Sequence, residues 1–266
     1  MPSNLIEITE NYLPLMNLRD RCALVIGASS GIGEATAREL ASRGYSVALV
    51  ARRRDVLDSL AASLQGPGAS DNSIYAYAAD VTDYDSIPAL FDEIIENMGG
   101  LSLVIYAAGV MPKVEANEYD FQKDRQMVEI NLLGMMAWLN EAADYFQRMN
   151  SGVIVGIGSI AGDRGRRGNP GYNTTKGAQA IFLESLRNRL STKGVRVVTI
   201  KPGFVATEMT AGMGDLLWMI SPQEAARRIV NASETSAGTV YVPRRWRFVI
   251  WIIQAIPGWI FRKLDI

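Results

Sequence analysis

The stretch Cys22-Ala-Leu-Val-Ile26-Gly27-Ala-Ser29-Ser30-Gly31-Ile32-Gly33-Glu34-Ala-Thr-Ala-Arg-Glu-Leu40 decides the fold. An apolar run of strand length meets a glycine-rich turn, and a run of good helix formers follows at once. Small residues in such a turn let backbone amides and a helix N-terminus approach a pyrophosphate closely. The same letters satisfy a nucleophile elbow, Gly27-x-Ser29-x-Gly31, in the strand-turn-helix context that motif requires. The chain has no histidine, so Ser29 has no imidazole base and the hydrolase reading falls. No Gly-Lys-Ser/Thr occurs either, which removes a P-loop.

Moving outward, apolar runs of strand length recur at Ser46–Val50, Ser73–Ala78, Leu101–Tyr106, Gly152–Ile157, Val195–Ile200 and Thr239–Val242. Helical patterns lie between them at Gly31–Ser42, Arg53–Ser63, Asp83–Asn97, Glu118–Met149, Tyr172–Ser191 and Pro222–Asn231. This alternation predicts an α/β fold: a single Rossmann-like domain with a doubly wound, parallel, seven-stranded sheet over residues 21–242. The ligand crevice then lies beyond the carboxyl ends of the strands. Residues 1–20 form an N-terminal extension without the pattern of a secretory or transit peptide, and residues 243–266 form a tail. Ser221, Pro222 and Glu224 predict a capping box at the last helix of the domain.

Composition narrows the chemistry. Without histidine and with Cys22 as its one cysteine, the chain carries no His-ligated metal site, no Cys-x-x-Cys knuckle and no internal disulfide. A net charge of −1 argues against binding nucleic acid. That total is uneven: the tail holds Arg244, Arg245, Arg247, Arg262 and Lys263 against Asp265 alone, a net +4 that leaves −5 elsewhere. At the end of the second strand, Ala51 followed by Arg52, Arg53 and Arg54 stands where an NAD site places a carboxylate. Guanidinium groups there favour a ribose 2′-phosphate, hence NADP, with NADPH preferred over NADH. Asp80 and Val81, just past the third strand, are placed to meet the adenine.

Four residues define the chemistry: Asn131, Ser159, Tyr172 and Lys176. Tyr172 and Lys176 are four apart and share one helix face, Ser159 ends the fifth strand, and the spacings are 28 from Asn131 to Ser159 and 13 on to Tyr172. With the glycine loop, this set resembles the classical short-chain dehydrogenase/reductase family from about Arg21 to Val242. A phenol titrates near pH 10 in water, so it needs a nearby positive charge to favour phenolate, which Lys176 and an oxidised nicotinamide would supply. The resemblance implies that Tyr172 is the proton donor to a carbonyl oxygen and that Ser159 hydrogen-bonds that oxygen. It also implies that Lys176 holds the nicotinamide ribose and that Asn131 holds a water linking Lys176 to solvent. Besides the loop from Gly27 to Gly33, it counts Ala107, Ala108, Gly109, Asn131, Tyr172, Lys176, Pro202, Gly203, Val205 and Thr207 among the cofactor contacts. Pairing as a homodimer or homotetramer through the long helices is implied too. Two departures stand out: Ile26 where the family has threonine, and Tyr106-Ala-Ala-Gly109 in place of Asn-Asn-Ala-Gly.

The segment after Thr207, rich in Met209, Met213, Leu216, Leu217, Trp218 and Met219, reads either as an adaptable apolar substrate wall or as a lid packed on its own domain. Arg164, Arg166 and Arg167 read either as an anion site or as a solvated loop. The tail from Phe248 to Phe261 has no charge and is broken by Pro257-Gly258. It is too short to cross a bilayer. Its aromatic residues and flanking cations suit peripheral contact of residues 244–264 with the cytoplasmic face of a membrane. The competing reading folds it over the cleft or onto a partner subunit. The expected enzyme is therefore an NADPH-dependent reductase of a small-molecule or lipid-linked ketone, such as a 3-keto sphingoid base, a long-chain 3-oxoacyl group or a polyprenyl-phosphate-linked keto sugar. The alternatives are a soluble carbonyl or 3-oxoacyl reductase with a buried tail, and a non-catalytic NADPH sensor.

Overall fold

The computed structural model describes residues 21–65, 72–115, 117–214, 216–236 and 238–264, so the expected N-terminal extension lies outside the described residues. Seven parallel strands run in the order β3-β2-β1-β4-β5-β6-β7: β1 Cys22–Ile26, β2 Ser46–Ala51, β3 Ile74–Ala78, β4 Leu103–Tyr106, β5 Gly152–Ile157, β6 Val195–Pro202 and β7 Gly238–Val242. The order reverses between β1 and β4, which opens the crevice expected of a doubly wound sheet at their carboxyl ends.

Side chains of β1 alternate between two cores. Ala23 and Val25 meet α1 (Gly31–Ser42), α2 (Arg54–Leu64) and α7 (Pro222–Thr235), with Leu40, Leu57 and Ile229 fully buried. Leu24 and Ile26 meet α3 (Ile87–Met98), α5 (Gly134–Met149) and α6 (Pro170–Leu190), with Phe91, Trp138 and Leu183 fully buried. Burial on both faces is why these strands are continuously apolar rather than alternating. The glycine turn is dictated by contact. Gly27 has φ +90°, and a Cβ there would lie 2.5 Å from the Ala108 amide nitrogen; a Cβ at Gly33 would overlap the Gly27 carbonyl. Only glycine at both lets α1 start directly on the ends of β1 and β4.

The long helix expected at Glu118–Met149 starts later and is not uniform. Asp120 caps it, accepting hydrogen bonds from the amides of Gln122 at 2.8 Å and Lys123 at 3.3 Å. After α4 (Phe121–Met127), a π-helical turn spans Val128–Leu133 before α5. Two successive carbonyls of this turn receive side-chain donors from neighbouring elements: Tyr106 Oη donates to Ile130 at 2.6 Å, and Gln179 Nε2 donates to Asn131. Tyr106, one of the two departures from the family pattern, is thus a fully buried brace for the turn that carries Asn131. A Cβ at Gly134 would come within 2.6 Å of Tyr106 Oη, so the glycine makes room for the brace. The capping box at α7 is half formed. Ser221 Oγ accepts from the Glu224 amide at 3.1 Å, but the Glu224 carboxylate pairs with Arg228 at 2.7 Å instead of reaching back.

Replacing Tyr106 by Phe keeps the ring and leaves the Ile130 carbonyl buried without its donor. Urea unfolding should show a loss of about 1–3 kcal/mol; stability equal to wild type would mean the brace is idle.

Candidate active site

Backbone contacts bring the candidate residues together. Beyond β5, Ser159 caps a short 3₁₀ turn, Ile160–Asp163, its Oγ accepting from the Ala161 amide at 3.0 Å. A Cβ at Gly162 would sit 2.5 Å from the Gly177 nitrogen, so this turn lies directly against the backbone of α6. At the start of α6, Asn169 holds φ +49° and its side chain accepts from the Tyr172 amide at 3.0 Å while donating to the Pro112 carbonyl at 2.9 Å. Tyr172 is thereby set opposite Ser159, whose hydroxyl is near enough to act on the phenol's ionisation. One turn on, Lys176 Nζ donates to the Ile157 carbonyl at 3.1 Å and lies 5.6 Å from the Tyr172 ring centre.

In the protein without cofactor, burial governs the electrostatics of the pair. Burial pushes the Tyr172 phenol up to about 12, with the Ser159 hydrogen bond pulling the other way, and burial pulls Lys176 down to about 7. In the protein alone, desolvation outweighs the Ser159 hydrogen bond, and Tyr172 holds its proton at neutral pH. Asn131 is fully buried and stands behind Lys176, apart from the cavity walls. Its Oδ1 accepts from the Val110 amide at 2.7 Å, and its Nδ2 donates to the Val110 carbonyl at 3.0 Å and to Thr175 Oγ1 at 3.2 Å. It joins the loop after β4 to α6 rather than facing the cleft.

The other residues expected around a dinucleotide line two connected cavities along the carboxyl ends of the strands. One, of about 660 Å³, is walled by Gly27, Ser29, Ser30, Gly31, Ile32, Gly33, Arg52, Arg53, Asp80, Val81, Ala107, Ala108 and Gly109. The second, of about 840 Å³, holds Ser159, Tyr172, Lys176, Pro202, Gly203, Val205 and Thr207. They share Ile32, Ala107, Gly109 and Thr207. The residues present fit a dinucleotide: Ser30 caps α1 without a side-chain cap bond, and Arg53 Nη2 donates to the Ser29 carbonyl at 3.0 Å and to Ser29 Oγ at 3.2 Å, closing a cation over the glycine loop. Asp80 is oriented by the Thr82 amide at 2.9 Å and hydroxyl at 2.8 Å, with Arg52 at 4.0 Å.

The family model for short chain dehydrogenases matches residues 21–216. This chain belongs to that family. It is 30% identical over 242 residues to an uncharacterized oxidoreductase of Mycobacterium tuberculosis, covering 90% of this chain and 95% of the relative. It is also 30% identical over 242 residues to the cis-4-hydroxycyclohexanecarboxylate dehydrogenase of Sinomonas cyclohexanicum, covering 90% and 96%. Among solved structures, a short-chain type dehydrogenase/reductase from Mycobacterium ulcerans superimposes with a TM-score of 0.77 at 27% identity, over 84% of this chain and 88% of that one. The chain is an NAD(P)-dependent oxidoreductase acting on an alcohol or ketone of a small molecule.

In this short-chain dehydrogenase the lid and the tail are one assembly. The lid is pinned at its base by the Ala206 amide to the Ile220 carbonyl at 3.0 Å and the Ile220 amide to the Phe204 carbonyl at 3.1 Å. Met209 and Met213 face the second cavity, as the substrate-wall reading of this segment has it, whereas Trp218 turns to the tail, as the packed-lid reading has it. Its ring meets Trp246 edge-on at 5.4 Å, and Arg245 lies over it at 4.4 Å. Trp246, the first residue of α8 (Trp246–Ala255), sits where a side chain at Gly203 would be. Sequence reasoning missed this role of Gly203, because the contact joins residues far apart in the chain. On the other wall, Arg164 donates to the Ile253 carbonyl and stacks 3.8 Å over Phe261, and Arg167 donates to the Arg262 carbonyl at 2.7 Å. A buried ion pair between Lys201 and Asp163, with Tyr241 donating to Asp163 at 3.2 Å, anchors that wall. The tail's outer side exposes Phe248, Trp251, Ile252 and, on α9 (Gly258–Phe261), Trp259. No helix among the described residues is long and apolar enough to cross a membrane.

Because folding lowers the Lys176 pKa from 10.5 to about 7, the unfolded chain binds more protons within that window, and this group's contribution to stability rises as pH rises through it. Urea unfolding of wild type and Lys176→Met at neutral and at mildly alkaline pH should show a smaller rise for the variant. Identical pH slopes would contradict the burial of a titrating Lys176.

Proposed function

We propose that this enzyme is an NADPH-preferring reductase, reversible in principle, of ketones carried on a large apolar body. One observation carries the reading: the Arg53-covered glycine loop and the cavity of Ser159 and Tyr172 form one continuous cleft, lined by Met111 and Met209 where the two parts meet and by Phe204 and Met213 in the second. Arg52 and Arg53, with Ala51 in place of a carboxylate, suit a ribose 2′-phosphate. Methionine-lined walls adapt to bulky apolar groups.

The nicotinamide cofactor, when bound, supplies the hydride. Tyr172, protonated at neutral pH and more firmly so by its burial, hands its proton to the carbonyl oxygen as charge develops there. Ser159 holds that oxygen, which places two donors on the atom that becomes anionic. Lys176, fixed by the Ile157 carbonyl, holds the ribose and offsets the charge left on the phenol. Asn131 acts by keeping the lysine's helix in register with the β4 loop.

The tail extends the reading to a lipid or lipid-linked substrate. Its inner side packs on Ile160, Phe204 and Trp218, and its outer side shows exposed aromatic residues between Arg244, Arg247 and Arg262, a composition suited to peripheral contact with an anionic cytoplasmic membrane face. Pairing of subunits through α4 to α6 fits the exposed Phe121, Leu133 and Ile181 there.

NADPH oxidation with ketones of increasing apolar length, with and without anionic vesicles, tests these points together. kcat/KM should climb with length, anionic vesicles should retain the protein, and Arg53→Ala should weaken NADPH about ten- to hundredfold while sparing NADH. A flat response to length would sink the apolar substrate. Protein left in the supernatant would sink the membrane contact, and equal losses for both cofactors would sink the phosphate role.

A further inference from the structure

Three arginines follow the 3₁₀ turn, and the fold gives them different tasks. Arg164 and Arg167 reach away from the cleft to carbonyls of the tail. Arg166 lines the cavity that holds Ser159, Tyr172 and Lys176. Its Nε is enclosed and without a hydrogen-bond partner, and among the described residues no carboxylate pairs with its guanidinium. Asp163, the nearest source of compensating charge, is already engaged by Lys201 and Tyr241. Burial accordingly lowers the pKa of Arg166 from the ordinary arginine value.

Its backbone is nevertheless held. Asn173, on the first turn of α6 beside Tyr172, donates to the Arg166 carbonyl at 3.4 Å and to the Gly168 carbonyl at 3.0 Å. The backbone from which the guanidinium projects is therefore held by the helix that carries both Tyr172 and Asn173. Lys113 also lines this cavity, but it is fully exposed and paired with Glu115 at 2.7 Å. A buried donor without an acceptor costs free energy that an incoming anion would recover.

The geometry points to Arg166 as the residue that selects substrates bearing a carboxylate or phosphate group remote from the reacting carbonyl. A guanidinium presents a planar pair of donors suited to either anion. The inference rests on the reading that this cavity receives the ketone. It narrows the substrate class to anionic ketones: an apolar body against Met209 and Met213, a carbonyl at Tyr172 and Ser159, and a negative head at Arg166.

The test compares a series of keto acids with their methyl esters, and keto-alcohol phosphate monoesters with the free alcohols, in wild type, Arg166→Gln and Arg166→Lys. In wild type, one anionic series should exceed its neutral counterparts in kcat/KM by about ten- to hundredfold, and the series that does so tells carboxylate from phosphate. Arg166→Gln should erase that advantage through KM with kcat nearly unchanged, leaving neutral ketones at wild-type rates, which also shows that the variant is folded. Arg166→Lys should restore part of it. Neutral ketones turned over as well as anionic ones, or an equal loss for both in Arg166→Gln, would overturn the anion anchor and leave the reductase reading standing. No turnover of any ketone would overturn both.

Discussion

Lys176 carries its amino group into a fully buried position where, among the described residues, the Ile157 carbonyl is its hydrogen-bond acceptor and no carboxylate neutralises it. An unpaired ammonium in such a place is held there at a cost in free energy. The surrounding structure can be understood as what holds it. The 3₁₀ turn lies backbone to backbone on α6, the Asn131 side chain ties the β4 loop to the same helix, and Tyr106 and Gln179 brace the π turn from which Asn131 projects. Loosening any of these would let Lys176 reach water and would separate it from Tyr172.

The same desolvation acts on both members of the pair in opposite senses. It raises the phenol and lowers the amine, so in the protein alone the proton resides on Tyr172 at neutral pH. A protonated phenol is the form that the proposed proton donation to a carbonyl oxygen requires.

Much of the fold was legible because backbone geometry writes itself into small residues. Gly27 and Gly33 cannot carry a Cβ, and five apolar residues before them have no other role than a doubly buried strand. Tyr172 and Lys176 were legible because a helix places residues four apart on one face. Less was readable where the determinant is long-range. The π turn shares its local apolar pattern with an α-helix and is recognisable only from the Tyr106 and Gln179 donors that meet it. Three nearly adjacent arginines look alike in sequence, yet only contact with the tail shows that Arg164 and Arg167 face outward while Arg166 faces the cleft. Gly203, expected at the cofactor, also makes room for Trp246, and so links the cofactor loop, the lid and the tail.

The proposed role of Tyr172 as proton donor bears the weight of the mechanism, and single-turnover oxidation of bound NADPH by a ketone, compared between wild type and Tyr172→Phe, tests it most directly. Hydride transfer should slow by about 10²- to 10⁴-fold in the variant while its affinity for NADPH stays at the wild-type value. A variant that transfers hydride at the wild-type rate would show that the proton comes from elsewhere.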